Sequence, residues 1–319
     1  MKRNISLDYL KVVLSILVVL IHLKPLVKSD VYILNIISWE VTEGIARIAV
    51  PCFFILNGYF LGKKLINSIL LKEHCTFLLK IYIIWILIYL SLYASLGSFE
   101  TSSASIVPII KSIIIGFEHL WYILALIEAL IIIFVLEKLI PSEKTKSIIF
   151  LSLFLFCAGY WIQNKYILDI GKFASRNALF IGVPFIYLGI LIRKKESILL
   201  KFKSKYLLII SLCAFFLLLL EAYFSFLKGY SVDIYISLII LSPCVILFFI
   251  KRSHYTMQYN DFIKDLAPTI FYSHGVILTL VRLFPGHVDN IFQIPIILLF
   301  TLCLSCILMK INKNIKIFF

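Results

Sequence analysis

The sequence predicts an all-α polytopic membrane protein of about ten transmembrane helices, with the N- and C-termini cytoplasmic. Three observations lead there. Of the 319 residues 62% are apolar and only 15% charged, with a mean hydropathy of +1.03, whereas soluble domains sit near half apolar. Apolar runs of about 20 residues, the length that crosses a bilayer as a helix, recur along the whole chain. The basic residues are also sorted by side: twenty fall on segments that become cytoplasmic if the N-terminus is, and seven on the opposite loops. The net charge of +14 therefore carries topology, and nucleic acid is not an expected partner. No ten-residue alternation of the outer-membrane-barrel kind is present.

The predicted spans are approximately 9–27, 45–62, 75–97, 119–140, 147–163, 177–193, 206–227, 232–250, 266–284 and 290–311. "MKRN" before the first apolar run resembles a signal peptide. It lacks a small-residue cleavage site and its run is long and interrupted by Lys11, so it reads as a retained first span. Between the third and fourth spans, 98–118 holds "SIVPIIKSIIIGF", too short and too broken by Pro108 to cross; it reads as re-entrant or interfacial. No extramembrane domain, linker or internal repeat is visible, and residues 1–319 form one integral-membrane unit. The seven cysteines lie almost wholly inside apolar runs, Cys303 and Cys306 included, so no disulfide framework is expected. No metal motif occurs.

Charged side chains inside a bilayer cost about 2.5–3.5 kcal/mol each on insertion scales, so each needs a reason. In "SLDYLKVVLSILVVLIHLKP", Lys11 and His22 are 11 positions apart, about three turns, and face the same way with a rise of roughly 16 Å. Asp8 is within ion-pair reach of Lys11. The bland alternatives are a snorkelling lysine and a packing histidine. In the second span, Glu43 and Arg47 are four apart and able to pair. The fourth opens with "EHLWYILALIE", placing His119, Trp121 and Tyr122 at its outer end, as an interfacial aromatic belt or as a floor for sugar rings. Glu128, deeper in, must face protein or water. Arg176 starts the sixth span, Glu221 lies in the seventh, His274 lies mid-way along the ninth, and Arg282 follows it. His22, Arg47, His119, Arg176 and Arg282 all map to the outer half, which suggests a polar chamber opening outward and connected inward along the Lys11 face.

The stretches "LDYLKVVLSILVVLIH", "RIAVPCFFILNGYFL", "HLWYILALIEALII", "GVPFIYLGILI" and "APTIFYSHGVIL", in that order, resemble the membrane acyltransferase-3 family, the O-acyltransferases that decorate bacterial surface sugars. The family's first-span signature is an arginine, ten residues, then a histidine. Here the histidine is His22 and the arginine position holds Lys11, which keeps the charge and loses the forked donor. The resemblance implies a multi-pass protein of the bacterial cytoplasmic (inner) membrane. It implies acetyl-CoA as cosubstrate and acyl donor from the cytosol, and a lipid-linked or surface glycan such as O-antigen as acceptor.

On that reading His22, Lys11 and Arg47 carry the chemistry. His22 is the base that takes the proton of the acceptor hydroxyl or, alternatively, accepts the acyl group itself; Arg47 stabilises the oxyanion. Lys11 and Asp8 meet the acyl-CoA; Glu43, His119, Trp121, Tyr122, Arg176 and His274 meet the acceptor. Membrane lipid is the surrounding partner. The rival class is a transporter or flippase of lipid-linked sugars, since multi-span chains with buried charges often are transporters. The paired, broken repeats that such folds show are not found.

Overall fold

The computed structural model describes residues 3–23, 31–62, 67–95, 113–140, 145–166, 175–252, 255–256, 261–282, 293–315 and 317–318. Its elements are helical except for a two-residue antiparallel ladder pairing β1 (Arg3–Asn4) with β2 (Tyr255–Thr256). Each of the ten predicted spans contains a helix. Among the described residues, five helical stretches are long and apolar enough to cross a membrane: Tyr32–Leu61, Ser68–Ser95, Lys146–Lys165, Ser204–Lys228 and Ile294–Ile315. The last two show lipid-facing chemistry, with Leu208, Leu212, Phe216, Leu299, Phe300 and Ile307 all outward and exposed. Most of the predicted re-entrant segment, 98–112, lies outside the described residues, as do Lys24, Lys28, Lys111 and Lys172 of the outer loops and Lys63 and Lys64 of the inner ones.

Helix α1 (Ile5–Ile21) starts where the Asn4 side chain accepts from the Leu7 N–H at 3.3 Å, with Asp8 in its first turn. Next comes a single helical rod. It is made of α2 (Tyr32–Trp39), one widened π turn (Glu40–Gly44), one tight 3-10 turn (Ile45–Ile48) and α3 (Ala49–Leu61). The rod begins 13 residues earlier than the predicted span, because Glu40, Thr42, Glu43 and Arg47 look too polar for a membrane until their partners are known. After α4 (Ser68–Ser95) come α5 (Trp121–Leu139), α6 (Thr145–Tyr166), a second π turn (Ala178–Gly182) leading into α7 (Val183–Lys194), the short α8 (Glu196–Leu199) and α9 (Ser204–Lys228). The chain closes with α10 (Leu238–Lys251), α11 (Asp261–Arg282) and α12 (Gln293–Ile315).

Two contacts set the scaffold around the site. Helices α3 and α7 cross backbone to backbone. A Cβ on Gly58 would lie 2.0 Å from the Ile186 carbonyl oxygen, and one on Gly189 would lie 2.0 Å from that of Ile55. Only glycine permits this approach, the device membrane helices use when no hydrophobic force draws them together. Helices α1 and α11 run parallel: Ser15 Oγ donates to the Ala267 carbonyl at 2.8 Å, and Arg282 Nη2 to the His22 carbonyl at 3.1 Å.

The predicted eighth span is helical only from Leu238. Residues 230–237 are irregular, yet Val232, Asp233, Ile234 and Tyr235 are all buried. Non-helical backbone survives at such a place only if protein satisfies it. Gln163 Oε1 accepts from the Asp233 and Ile234 N–H groups at 2.7 and 2.9 Å, and its amide donates to the Ile234 carbonyl at 2.9 Å. Glu221 accepts from the Ile236 and Ser237 N–H groups at 2.8 and 2.9 Å, just ahead of α10. Glu128 is exposed on the surface of α5, beside Asn177 in a surface groove. The inner face of α5 is taken up by Ala125, Leu126, Ala129 and Leu130, which leaves no room there for a carboxylate.

Candidate active site

His22 caps the C-terminus of α1, its own N–H bonded to the Val19 and Leu20 carbonyls. His119 sits in the 3-10 turn Glu118–Leu120 ahead of α5. The chain reaches that turn through Gly116, whose φ of +121° suits glycine and where a Cβ would lie 2.4 Å from the Trp121 Cα. His274 lies mid-way along α11. The three rings, 252 residues apart at the extremes, meet in space: centroids are 4.3 Å apart for His119 and His274, 5.2 Å for His22 and His274, and 6.0 Å for His22 and His119. Gly275 makes room for this, since a Cβ there would lie 2.8 Å from His119 Cε1 and 2.6 Å from the Tyr89 hydroxyl.

Beside the rings is a buried ion quartet. Arg47, 5% exposed, donates through Nε to Glu43 Oε2 at 3.1 Å, through Nη2 to the same carboxylate, and through Nη1 to Asp233. Arg176 approaches Asp233 with two parallel bonds, Nε at 2.7 Å and Nη2 at 3.0 Å. Among the described residues, two guanidiniums and two carboxylates balance to zero, the condition on which buried charge is tolerated. The guanidinium of Arg47 spends three of its five N–H groups on this network and that of Arg176 two, so both planes are locked while donors remain. Arg176 also lies over the Trp121 ring, 5.9 Å from its centroid.

Both groups open onto one cavity. His22, Arg47, His119, Trp121, Tyr122, Arg176 and Asp233 line it, with Val50, Phe185 and Phe271 among its apolar walls. Its volume is about 40 Å³, room for about three waters. Tyr122 accepts from the Asn57 amide at 2.9 Å, which fixes the phenol at the cavity edge. Six of the residues singled out from the sequence are thus on one wall set. Glu43 is one step behind, spent on Arg47, and His274 is one step behind the other two imidazoles. Lys11 and Asp8 are elsewhere: three turns down α1, Lys11 Nζ is 3.4 Å from Asp8 and 4.7 Å from the Phe60 ring centroid. Phe60 is at the far end of α3 from Arg47, so Lys11 faces α3, while His22 opens onto the cavity that Val50 of α3 also lines. With its side chain 29% exposed, Lys11 is neither buried nor free in lipid.

The sequence reading missed Asp233, Gln163, Tyr89 and Gly275. Asp233 did leave a signal, being the single carboxylate within the predicted eighth span. Tyr89 left none, as one aromatic among many in α4. Among the described residues no cluster has the geometry of a metal site.

The chain has counterparts among known proteins. A family model described as an acyltransferase domain, acyltransferase-3, matches residues 4–310. The chain belongs to the acyltransferase-3 family. Among curated proteins it is similar to a serine/alanine racemase of Enterococcus gallinarum, 27% identical over 276 residues, covering 77% of this chain and 36% of that one. The chain thus spans about a third of the length of that curated relative. No solved structure matches it significantly.

Proposed function

We propose that this membrane acyltransferase carries an acetyl group from cytosolic acetyl-CoA to a sugar hydroxyl of a bacterial surface polysaccharide such as O-antigen, working as a ten-span protein of the inner membrane with both termini in the cytoplasm. One observation carries the reading: an imidazole, His22, shares a cavity with two carboxylate-locked guanidiniums. A sugar hydroxyl is a weak nucleophile at neutral pH. A base placed against it contributes typically 10²–10⁴ in rate, and a fixed cation beside the thioester carbonyl stabilises the oxyanion with no reorganisation at the moment of reaction.

In this scheme His22 takes the hydroxyl proton as the oxygen attacks the thioester carbon. Arg47, with Arg176 beside it, faces the developing oxyanion. The carbon–sulfur bond then breaks, and the thiolate recovers the proton from His22. Trp121, Tyr122 and His119 shape the acceptor side. Glu43 and Asp233 hold the guanidiniums. Lys11, with Asp8, meets the anionic donor nearer the cytoplasm.

The test is the surface glycan of a deletion strain, paired with purified protein in lipid vesicles given labelled acetyl-CoA. Glycan of normal length lacking acetyl groups, restored by the wild-type gene but not by H22A, is the expected result. Absent or truncated glycan would overturn the acyl-transfer reading in favour of sugar transport.

A further inference from the structure

Hydrogen-bond directions assign protons within the imidazole cluster. His274 Nδ1 lies 2.7 Å from the Phe271 carbonyl oxygen and 3.2 Å from that of Ile270. Carbonyl oxygens only accept, so Nδ1 carries the hydrogen and Nε2 a lone pair. That Nε2 is fully buried, on a residue 0% exposed, and has no hydrogen-bond partner. An orphaned buried acceptor of this kind is costly and calls for an explanation.

His119 cannot satisfy it. A ring N–H of His119 donates to the Tyr272 carbonyl, which also accepts from the Tyr89 hydroxyl at 2.7 Å, and His119 Nε2 lies 3.5 Å from that hydroxyl. The one hydrogen of the neutral His119 ring is therefore already committed. Of the three rings only His22 has a hydrogen to offer. At a centroid separation of 5.2 Å, facing nitrogens of His22 and His274 come within hydrogen-bond distance, ~3 Å, when the rings turn toward each other.

We propose that His274 is the positioning residue of the reaction. It accepts a hydrogen bond from His22 through Nε2, and so fixes the tautomer of His22 whose other nitrogen is bare toward the cavity. His274 does not line that cavity and never meets the substrate. Backbone carbonyls anchor it on α11, and it holds the base as a carboxylate holds histidine in a hydrolase triad. As the acceptor oxygen bonds to the thioester carbon, its proton moves to the bare His22 nitrogen. The resulting imidazolium keeps its bond to His274, and the departing CoA thiolate takes the proton when the carbon–sulfur bond breaks. The inference rests on the acyl-transfer reading.

The experiment compares H274F, H274Q and H274N with wild type in vesicles, using labelled acetyl-CoA and glycan extracted from the deletion strain as acceptor. The glutamine amide oxygen reaches the place of Nε2; asparagine mimics only the Nδ1 side; phenylalanine fills the space and accepts nothing. H274F is expected to lose kcat about 10²-fold with KM for acetyl-CoA within about twofold of wild type, and H274Q to regain about tenfold or more. A kcat for H274F within about threefold of wild type, a raised KM at constant kcat, or glutamine no better than phenylalanine would overturn the proposal. If H274F fails to fold, the pair decides: glutamine active and asparagine inactive supports the bond, and equal activity overturns it. Wild type that transfers no acetyl group would refute the acyl-transfer reading instead, a separate outcome.

Discussion

Replacing Asp233 by asparagine keeps the shape of the side chain and removes one charge from the quartet. Asp233 holds Arg176 by two bonds of 2.7 and 3.0 Å and Arg47 by a third. Once it is neutral, Glu43 is the one carboxylate among the described residues left to the two guanidiniums of the quartet, and one positive charge loses its partner where Arg47 is 5% and Asp233 9% exposed. Breaking a buried pair from one side costs about 3–5 kcal/mol, a large part of the ~5–15 kcal/mol that holds a typical domain folded. At 1.36 kcal/mol per decade this is about 10²–10⁴ in the folded-to-unfolded ratio. Arg176 is partly solvated at 20% side-chain exposure, which places the expected loss toward the lower figure. The assay is thermal unfolding of the purified protein in detergent, with D233N, R176Q and the double variant forming a cycle. The double variant restores charge balance and is expected to be more stable than D233N alone, with a coupling of about 1–3 kcal/mol. A D233N variant within about 0.5 kcal/mol of wild type, or strictly additive effects, would refute the claim that the quartet is one electrostatic unit.

Three further outcomes follow from the same geometry. H22A is expected to insert and fold normally but to lose about 10²–10⁴ in kcat, measured by labelled acetyl transfer; full activity would remove His22 from the chemistry. K11R should retain activity while K11A raises KM for acetyl-CoA with kcat held, because a cation far from the cavity contributes donor binding alone; equal KM values for both would return Lys11 to a snorkelling role. G275A drives a Cβ into His119 and the Tyr89 hydroxyl, with an expected stability loss of about 1–3 kcal/mol. Y89F removes one of those two contacts and should recover part of it; no recovery in the double variant would place the strain elsewhere.

How much of this was legible before folding depends on what each signal needs. Lys11 and His22 lie 11 residues apart along one helix, so 3.6 residues per turn sufficed to place them on one stripe. Glu43 and Arg47 pair across one turn for the same reason. The cost of placing Glu128 in lipid did not say which side of its helix it occupies; the packing of Ala125 and Ala129 on the inner face of α5 decided that. The eighth span was misread because apolar composition marks burial, whereas a helix also needs its backbone bonds, and Gln163 and Glu221 supply them to an irregular segment instead.

The sequence by itself determined the membrane class, the succession of apolar helices, the local pairs, and which polar side chains were too costly in lipid to lack a purpose. Those properties depend on composition and on neighbours within a turn or two. Only the tertiary structure decided that His22, His119 and His274 form one cluster, that Asp233 joins Arg47 to Arg176, and that Lys11 stands apart from the cavity. Each of these joins residues on different helices, and the relative rotation and depth of two helices is set by close contacts such as those at Gly58, Gly189 and Gly275, which no periodicity within a single helix records.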